Sequence, residues 1–238
     1  WDVALDAGLP YNATATVQGA AGPRDSDLTF AARLPDLAAL SPALSGAVRA
    51  TGSARQTPEN RWQVAADLAG PRQAAASARA TVGPGTDGTG LTQATARIDV
   101  PSVAAFVPGI AGALTADLDI RQQDSGAWAL DVDAAGPYAA TLAAGGAIGG
   151  GETNATARLS VPDLAPLVPG LSGGLALDAT ARQPAGQPID VTLDAALPYA
   201  ATARVTGQVA PGETAIRLAA SLPSIAPLVP GLEGGVRV

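Results

Sequence analysis

Cysteine, histidine and methionine are all absent from the 238 residues. That removes thiol and imidazole nucleophiles, Ser-His triads, thiol redox chemistry and the zinc and haem sites that draw on these side chains. Aromatic residues make up only 3% of the chain and charged residues 15%, with a net charge of -7. An acidic balance excludes the basic surface that nucleic acid demands, and polybasic docking on anionic lipid with it. No run of about 18 apolar residues exists to span a bilayer as a helix. No basic segment leads into an apolar stretch at the start, so no signal peptide is visible. Without Met at position 1 the sequence reads as a piece of a longer chain, with any membrane anchor lying outside it. No pair of carboxylates stands out as catalytic, and no cofactor or metal is called for. The expectation is a protein that is not an enzyme.

What the chain does have is 47% hydrophobic residues, rich in Ala, together with 28 Gly and 20 Pro. Two blocks recur in the same order. The first is WDVALDAGLPY from Trp1, WQVAADLAGPR from Trp62, WALDVDAAGPY from Trp128 and IDVTLDAALPY from Ile189. The second is LPDLAALSPALSG from Leu34, VPSVAAFVPGIAG from Val100, VPDLAPLVPGLSG from Val161 and LPSIAPLVPGLEG from Leu222. The starts are spaced by 61, 66 and 61 residues, and the extra five fall near the loop-like GPGTDGTG of Gly83–Gly90. Fixed spacing of this kind marks a repeat. The copies are 1–61, 62–127, 128–188 and a truncated 189–238, forming one continuous array.

Each copy is expected to hold four strands. In the first, Trp1, Val3, Leu5 and Ala7 alternate with Asp2, Ala4 and Asp6, the period of two that marks a half-buried strand. Ala13, Ala15 and Val17 alternate with Thr14 and Thr16, and Leu28, Phe30, Ala32 and Leu34 with Thr29 and Arg33. Leu175, Leu177, Ala179 and Ala181 stand opposite Asp178, Thr180 and Arg182. Gly/Pro/Asp loops separate the strands. The proline block is too short and too broken for a regular helix, so it is expected to form one apolar helical turn per repeat, packed over the sheet. The fold class is all-β, an elongated antiparallel sheet.

Roughly sixteen strands with one apolar face each cannot leave that face in water. The face can be covered by a second sheet, coiled into a filled solenoid, or curled into a trough that holds an apolar guest. Small side chains fill a wide interior poorly.

Alternating strands joined by an LPDLAxLxPxLxG block, at Leu34–Gly46, Val161–Gly173 and Leu222–Gly234, resemble the AsmA-like proteins and, among these, the TamB family. That family is the inner-membrane-anchored subunit of the translocation and assembly module. The resemblance covers essentially the whole chain through a degenerate motif. It implies a β-taco or β-groove: a long sheet curled into a groove, crossing the periplasm of a Gram-negative bacterium. This chain would be a middle segment. Its function would be phospholipid conduction between inner and outer membranes, support of outer-membrane protein assembly and secretion, or both. The implied partners are phospholipid acyl chains and an outer-membrane barrel assembly protein. The groove lining would be Val3, Leu5, Val64, Leu130, Val132, Leu175, Leu177, Val191 and Leu193. Two other readings compete. One is a structural or adhesive secreted β-solenoid with a filled core. The other is a scaffold whose strand edges pair with unfolded outer-membrane proteins.

Blander readings attend several features. Trp at the repeat starts suits a strand end or core better than a groove. Asp6, Asp67, Asp133 and Asp194 recur but fall on the polar face, which favours solvation over calcium. Arg33, Arg97, Arg158 and Arg217 are expected to pair across strands with Asp. Gly83–Gly85 and Gly149–Gly151 are turns, since no Lys-Ser/Thr and no helix follow.

Overall fold

The computed structural model describes residues 1–23, 25–39, 45–83, 90–107, 109–168, 170–210, 212–224 and 234–237. They form two compact units, Trp1–Gly126 and Ala127–Val238, each an open antiparallel sheet. The first unit holds β1 (Asp2–Leu9), β2 (Ala13–Ala20), β3 (Asp27–Leu34), β4 (Val48–Gln56), β5 (Trp62–Ala69), β6 (Ala75–Val82), β7 (Leu91–Val100) and β8 (Leu114–Gln122). The second holds β9 (Trp128–Ala135), β10 (Thr141–Ile148), β11 (Thr153–Val161), β12 (Leu175–Gln183), β13 (Ile189–Ala196), β14 (Thr202–Ala210), β15 (Glu213–Leu222) and the short β16 (Val236–Arg237). Within each unit strand order follows chain order, every strand pairing with its sequence neighbours.

Register carries the alternation across the sheet, because directly paired residues stand on the same face. Leu5 pairs with Val17, Val17 with Phe30, and Phe30 with Gly52. Gly52 then faces Ala66, Ala66 faces Ala78, and Ala78 faces Ala96. In the second unit Leu130 pairs with Gly146, then Ala155, Ala181 and Val191 follow in line. No charged residue falls on this face at any paired strand position described. One irregularity lies between Thr81 and Val82, where Thr92 is the extra residue and its Oγ1 donates to the Thr81 carbonyl at 3.1 Å. It adjoins the neck of the expected long loop, closed by the Gly83 N–H and the Gly90 carbonyl; residues 84–89 lie outside the described residues.

Two of the connections differ from expectation. An apolar helical turn does not form in every repeat. Leu37–Ala39 and Val103–Ala105 are single 3-10 turns. The third proline block makes only a hydrogen-bonded turn, with the N–H groups of Leu167 and Val168 donating to the Leu164 carbonyl. The fourth block, 225–233, lies outside the described residues. The physical reason is Pro166, which stands in the third block where the first two carry Ala39 and Ala105; their N–H groups donate to Asp36 O and Ser102 O, and proline has no such donor. What closes each of the first three blocks is a neck: Leu37 N–H to Gly46 O, Val103 to Gly112 and Leu164 to Gly173.

The other unexpected connection follows the first strand of each copy. Pro10–Asn12, Pro71–Gln73, Pro137–Ala139 and Pro198–Ala200 are 3-10 turns with two consecutive left-handed residues. This is the backbone of a type I′ hairpin turn, whose twist suits the flanking strands. Gly46 backs onto the Pro71 ring and Gly173 onto Pro198, so each of these proline blocks leans on the following turn. The Tyr199 hydroxyl joins the same contact, accepting from Ser172 N–H and donating to Gly170 O at 3.3 Å each.

Candidate functional site

The apolar face is the candidate site, because the chain leaves it incompletely covered: of the nine expected lining residues Leu5 is exposed and the other eight are half-buried. Among the described residues only Ala74, Ala127 and Val161 are buried apolar residues, and no side chain is fully enclosed. The strand pairs in extensive close contact are all sequence neighbours. Leu5 is 59% exposed, Leu218 60% and Ile216 65%. Eight strands at about 4.8 Å, each offering four inward positions, make an apolar area on the order of 1,000 Å² per unit. That exceeds the few hundred Å² that a monomer ordinarily exposes.

All nine expected lining residues stand on this face. In the first unit Val3 and Leu5 lie on β1, opposite Gly19 and Val17, and Val64 on β5 between Ala54 and Ala80. In the second unit Leu130 and Val132 pair with Gly146 and Ala144. Leu175 and Leu177 pair with Val161 and Leu159. Val191 and Leu193 stand between Ala181 and Ala179 on one side and Gly207 and Val205 on the other. The surface is aliphatic and mostly low in relief. Its strand aromatics are Phe30, Trp62 and Trp128, and the Phe30 ring lies over Gly52, filling the gap that glycine leaves. Trp1 precedes β1 and is 97% exposed, whereas Trp62 and Trp128 are half-buried first residues of their strands.

Four hollows among the described residues lie mainly on the other side. Four volumes of about 470 to 600 Å³, two in each unit, are bounded by polar-face residues. Asp27, Arg55, Gln63 and Arg79 line one; Asp178, Asp194, Arg204 and Ser221 line another. Of the nine apolar positions only Val64 and Val191 border any of the four. Sequence reasoning did not foresee these hollows.

On the described strands charge is confined to the polar face. Arg97 reaches Asp117 at 3.4 Å and Arg158 reaches Asp178 at 2.8 Å, the expected cross-strand pairing. Arg33 and Arg217 form no ion pair among the described residues. Asp194 pairs with Arg204 at 3.3 Å and Asp27 with Arg55 at 2.6 Å. These groups are half or more exposed, so each pair contributes little stability. Asp6, Asp67 and Asp133 stand on the same solvated face, paired in register with Thr16, Ser77 and Ala143. No helix among the described residues is long and apolar enough to cross a membrane. No protein-family model, no curated protein and no solved structure matches this chain.

Proposed function

We propose that the apolar face carries the acyl chains of phospholipids, in a segment of a cell-envelope protein that conducts lipid across the periplasm between the inner and outer membranes. One observation carries the reading: a charge-free aliphatic face runs across the described strands of each unit, and of its described residues only Val161 is buried. Taking a sixteen-carbon chain into water costs on the order of 10 kcal/mol, at about 0.8 kcal/mol per CH₂. A uniform Ala, Val and Leu surface removes much of that cost at each position and holds the chain tightly at none. Tails can therefore slide while head groups stay in solvent. The chain would curl its apolar side into a groove around the tails, with Val3, Leu5, Val64, Leu130, Val132, Leu175, Leu177, Val191 and Leu193 among the lining. The reading rests on the charge-free aliphatic face and not on a cavity, since the four described hollows are bounded mainly by polar-face residues. A filled solenoid is disfavoured, because it would enclose far more than three apolar side chains. Support of outer-membrane protein assembly and secretion belongs to the same reading through the family resemblance.

The test exploits two adjacent residues of β13. Leu193 stands on the apolar face and Thr192, paired with Thr180 and Thr206, on the polar one. Lipids are extracted from purified protein and weighed by mass spectrometry, and uptake of a fluorescent phospholipid is measured. Leu193→Asp should lower uptake about tenfold while Thr192→Asp leaves it unchanged, with both variants showing the wild-type circular dichroism. Equal uptake by the two variants, or none by the wild type, would sink the proposal.

A further inference from the structure

Directly opposed like charges occur twice among the described strand pairs, and the fold treats the two sites differently. In the second unit Asp178 of β12 faces Asp194 of β13. The flanking strands supply a cation to each. Arg158 of β11 lies opposite Asp178, with its Nε 2.8 Å from the carboxylate. Arg204 of β14 lies opposite Asp194, with its Nε at 3.3 Å. The row reads plus, minus, minus, plus.

In the first unit Arg33 of β3 faces Arg49 of β4. The flanking positions in that row are Thr14 on β2 and Ala69 on β5, and neither carries a charge. Directly opposed like charges destabilise a sheet. The nearest acids form no ion pair with it among the described residues. Asp67 and Asp99 line a hollow of about 530 Å³ with Arg49, yet neither forms an ion pair with it. Asp36 turns to the N–H groups of Ala38 and Gly46. The acid pair has an arginine bonded to each carboxylate, whereas neither Arg33 nor Arg49 has an ion-pair partner among the described residues.

We propose that Arg33 and Arg49 form a clasp for an external phosphate group. Two planar guanidinium forks can each bind an oxyanion bidentately, and their joint charge matches the nearly double charge of a phosphate monoester. Thr14, in the same row, and Thr51, two residues along β4 on the same face, add hydroxyl donors at its border. The clasp lies on the polar face, so it does not depend on what occupies the apolar one.

The experiment follows the thermal midpoint of the chain in inorganic phosphate and in sodium chloride of equal ionic strength. Phosphate should raise the midpoint above the chloride value. Arg49→Asp puts a carboxylate opposite Arg33. It should raise the midpoint without phosphate, abolish the phosphate-specific shift and weaken phosphate binding by about tenfold or more in a calorimetric titration. Arg33→Gln, which adds no new charge, should also abolish the shift. Flotation with phosphatidylcholine vesicles containing phosphatidic acid identifies the source. Binding lost in both variants assigns a lipid head group, whereas phosphate protection without vesicle binding assigns a soluble phosphate ester; the clasp stands in either case. Equal shifts from phosphate and chloride, or a phosphate shift that survives both substitutions, would overturn it.

Discussion

Asp36 shows how a single carboxylate can shape a loop that contributes almost no buried surface. Its Oδ1 accepts the N–H groups of Ala38 and Gly46, both at 3.0 Å, and so ties the start of the proline block to its end. Those two backbone donors, Ala38 first, hold the carboxyl below the usual carboxylate range, against a small opposing effect of desolvation. A lowered folded-state pKa means that the charged form is the one the fold favours. The contribution is therefore complete above the ordinary aspartate pKa and disappears as pH falls through the lower folded-state value. The amide resonances of Ala38 and Gly46 should titrate together with a midpoint below that of a free aspartate. In Asp36→Asn the shared transition should vanish. Asp163 accepts the Ala165 N–H in the third copy at the same distance of 3.0 Å, so the local half of this arrangement recurs there.

The hairpin turns show the same economy at the scale of elements, with one of them poorly matched to its residues. Arg72 and Gln73 hold φ of 55° and 67°, a conformation that costs most non-glycine residues about 1 kcal/mol each. Tyr199, at the corresponding place, uses its hydroxyl to hold the preceding proline block. Arg72 makes no such contact among the described residues. Replacing Arg72-Gln73 by Asn-Gly, the pair that favours this turn, should stabilise the first unit by about 1 kcal/mol, read as a higher midpoint in urea. The strand faces were legible because period-two alternation and regular pairing are local rules. Val17 and Phe30 had to meet once the polar neighbours Thr16 and Thr29 pointed away. The turns were not legible, since tyrosine and arginine are poor left-handed residues and only the closing of the hairpin forces them there. The proline block carries a 3-10 turn in the first two copies but not in the third, and its apolar run hides the backbone donor that Pro166 removes. The bare arginine pair was hidden for another reason. Arg33 recurs with Arg97 and Arg158 in sequence, but register places Arg33 one pleat nearer the strand end, opposite Arg49 and not opposite an aspartate.

At the scale of the whole molecule the open faces leave a thermodynamic signature. The chain exposes 14704 Å² for a mass of 23.3 kDa. Compact folding of that mass as one domain would expose about 9,700 Å², and even two separate domains of half the mass about 11,700 Å². The excess is consistent with an apolar face that has not been removed from water. Unfolding then hydrates less new apolar surface than in a close-packed protein of equal length. A globular chain of this size would unfold with a heat-capacity change of about 2.9–3.6 kcal/mol/K, at 12–15 cal/mol/K per residue. Calorimetry of lipid-free protein should give a value below that range, because apolar exposure is what raises it. Adding phospholipid should move both the midpoint and the heat-capacity change upward, since a ligand bound to the folded face stabilises by mass action and is lost on unfolding. A globular value in delipidated, monomeric protein would mean that the chain covers its own aliphatic face. The acyl-chain surface would then not exist, although the strand order and the pairing register would be unaffected.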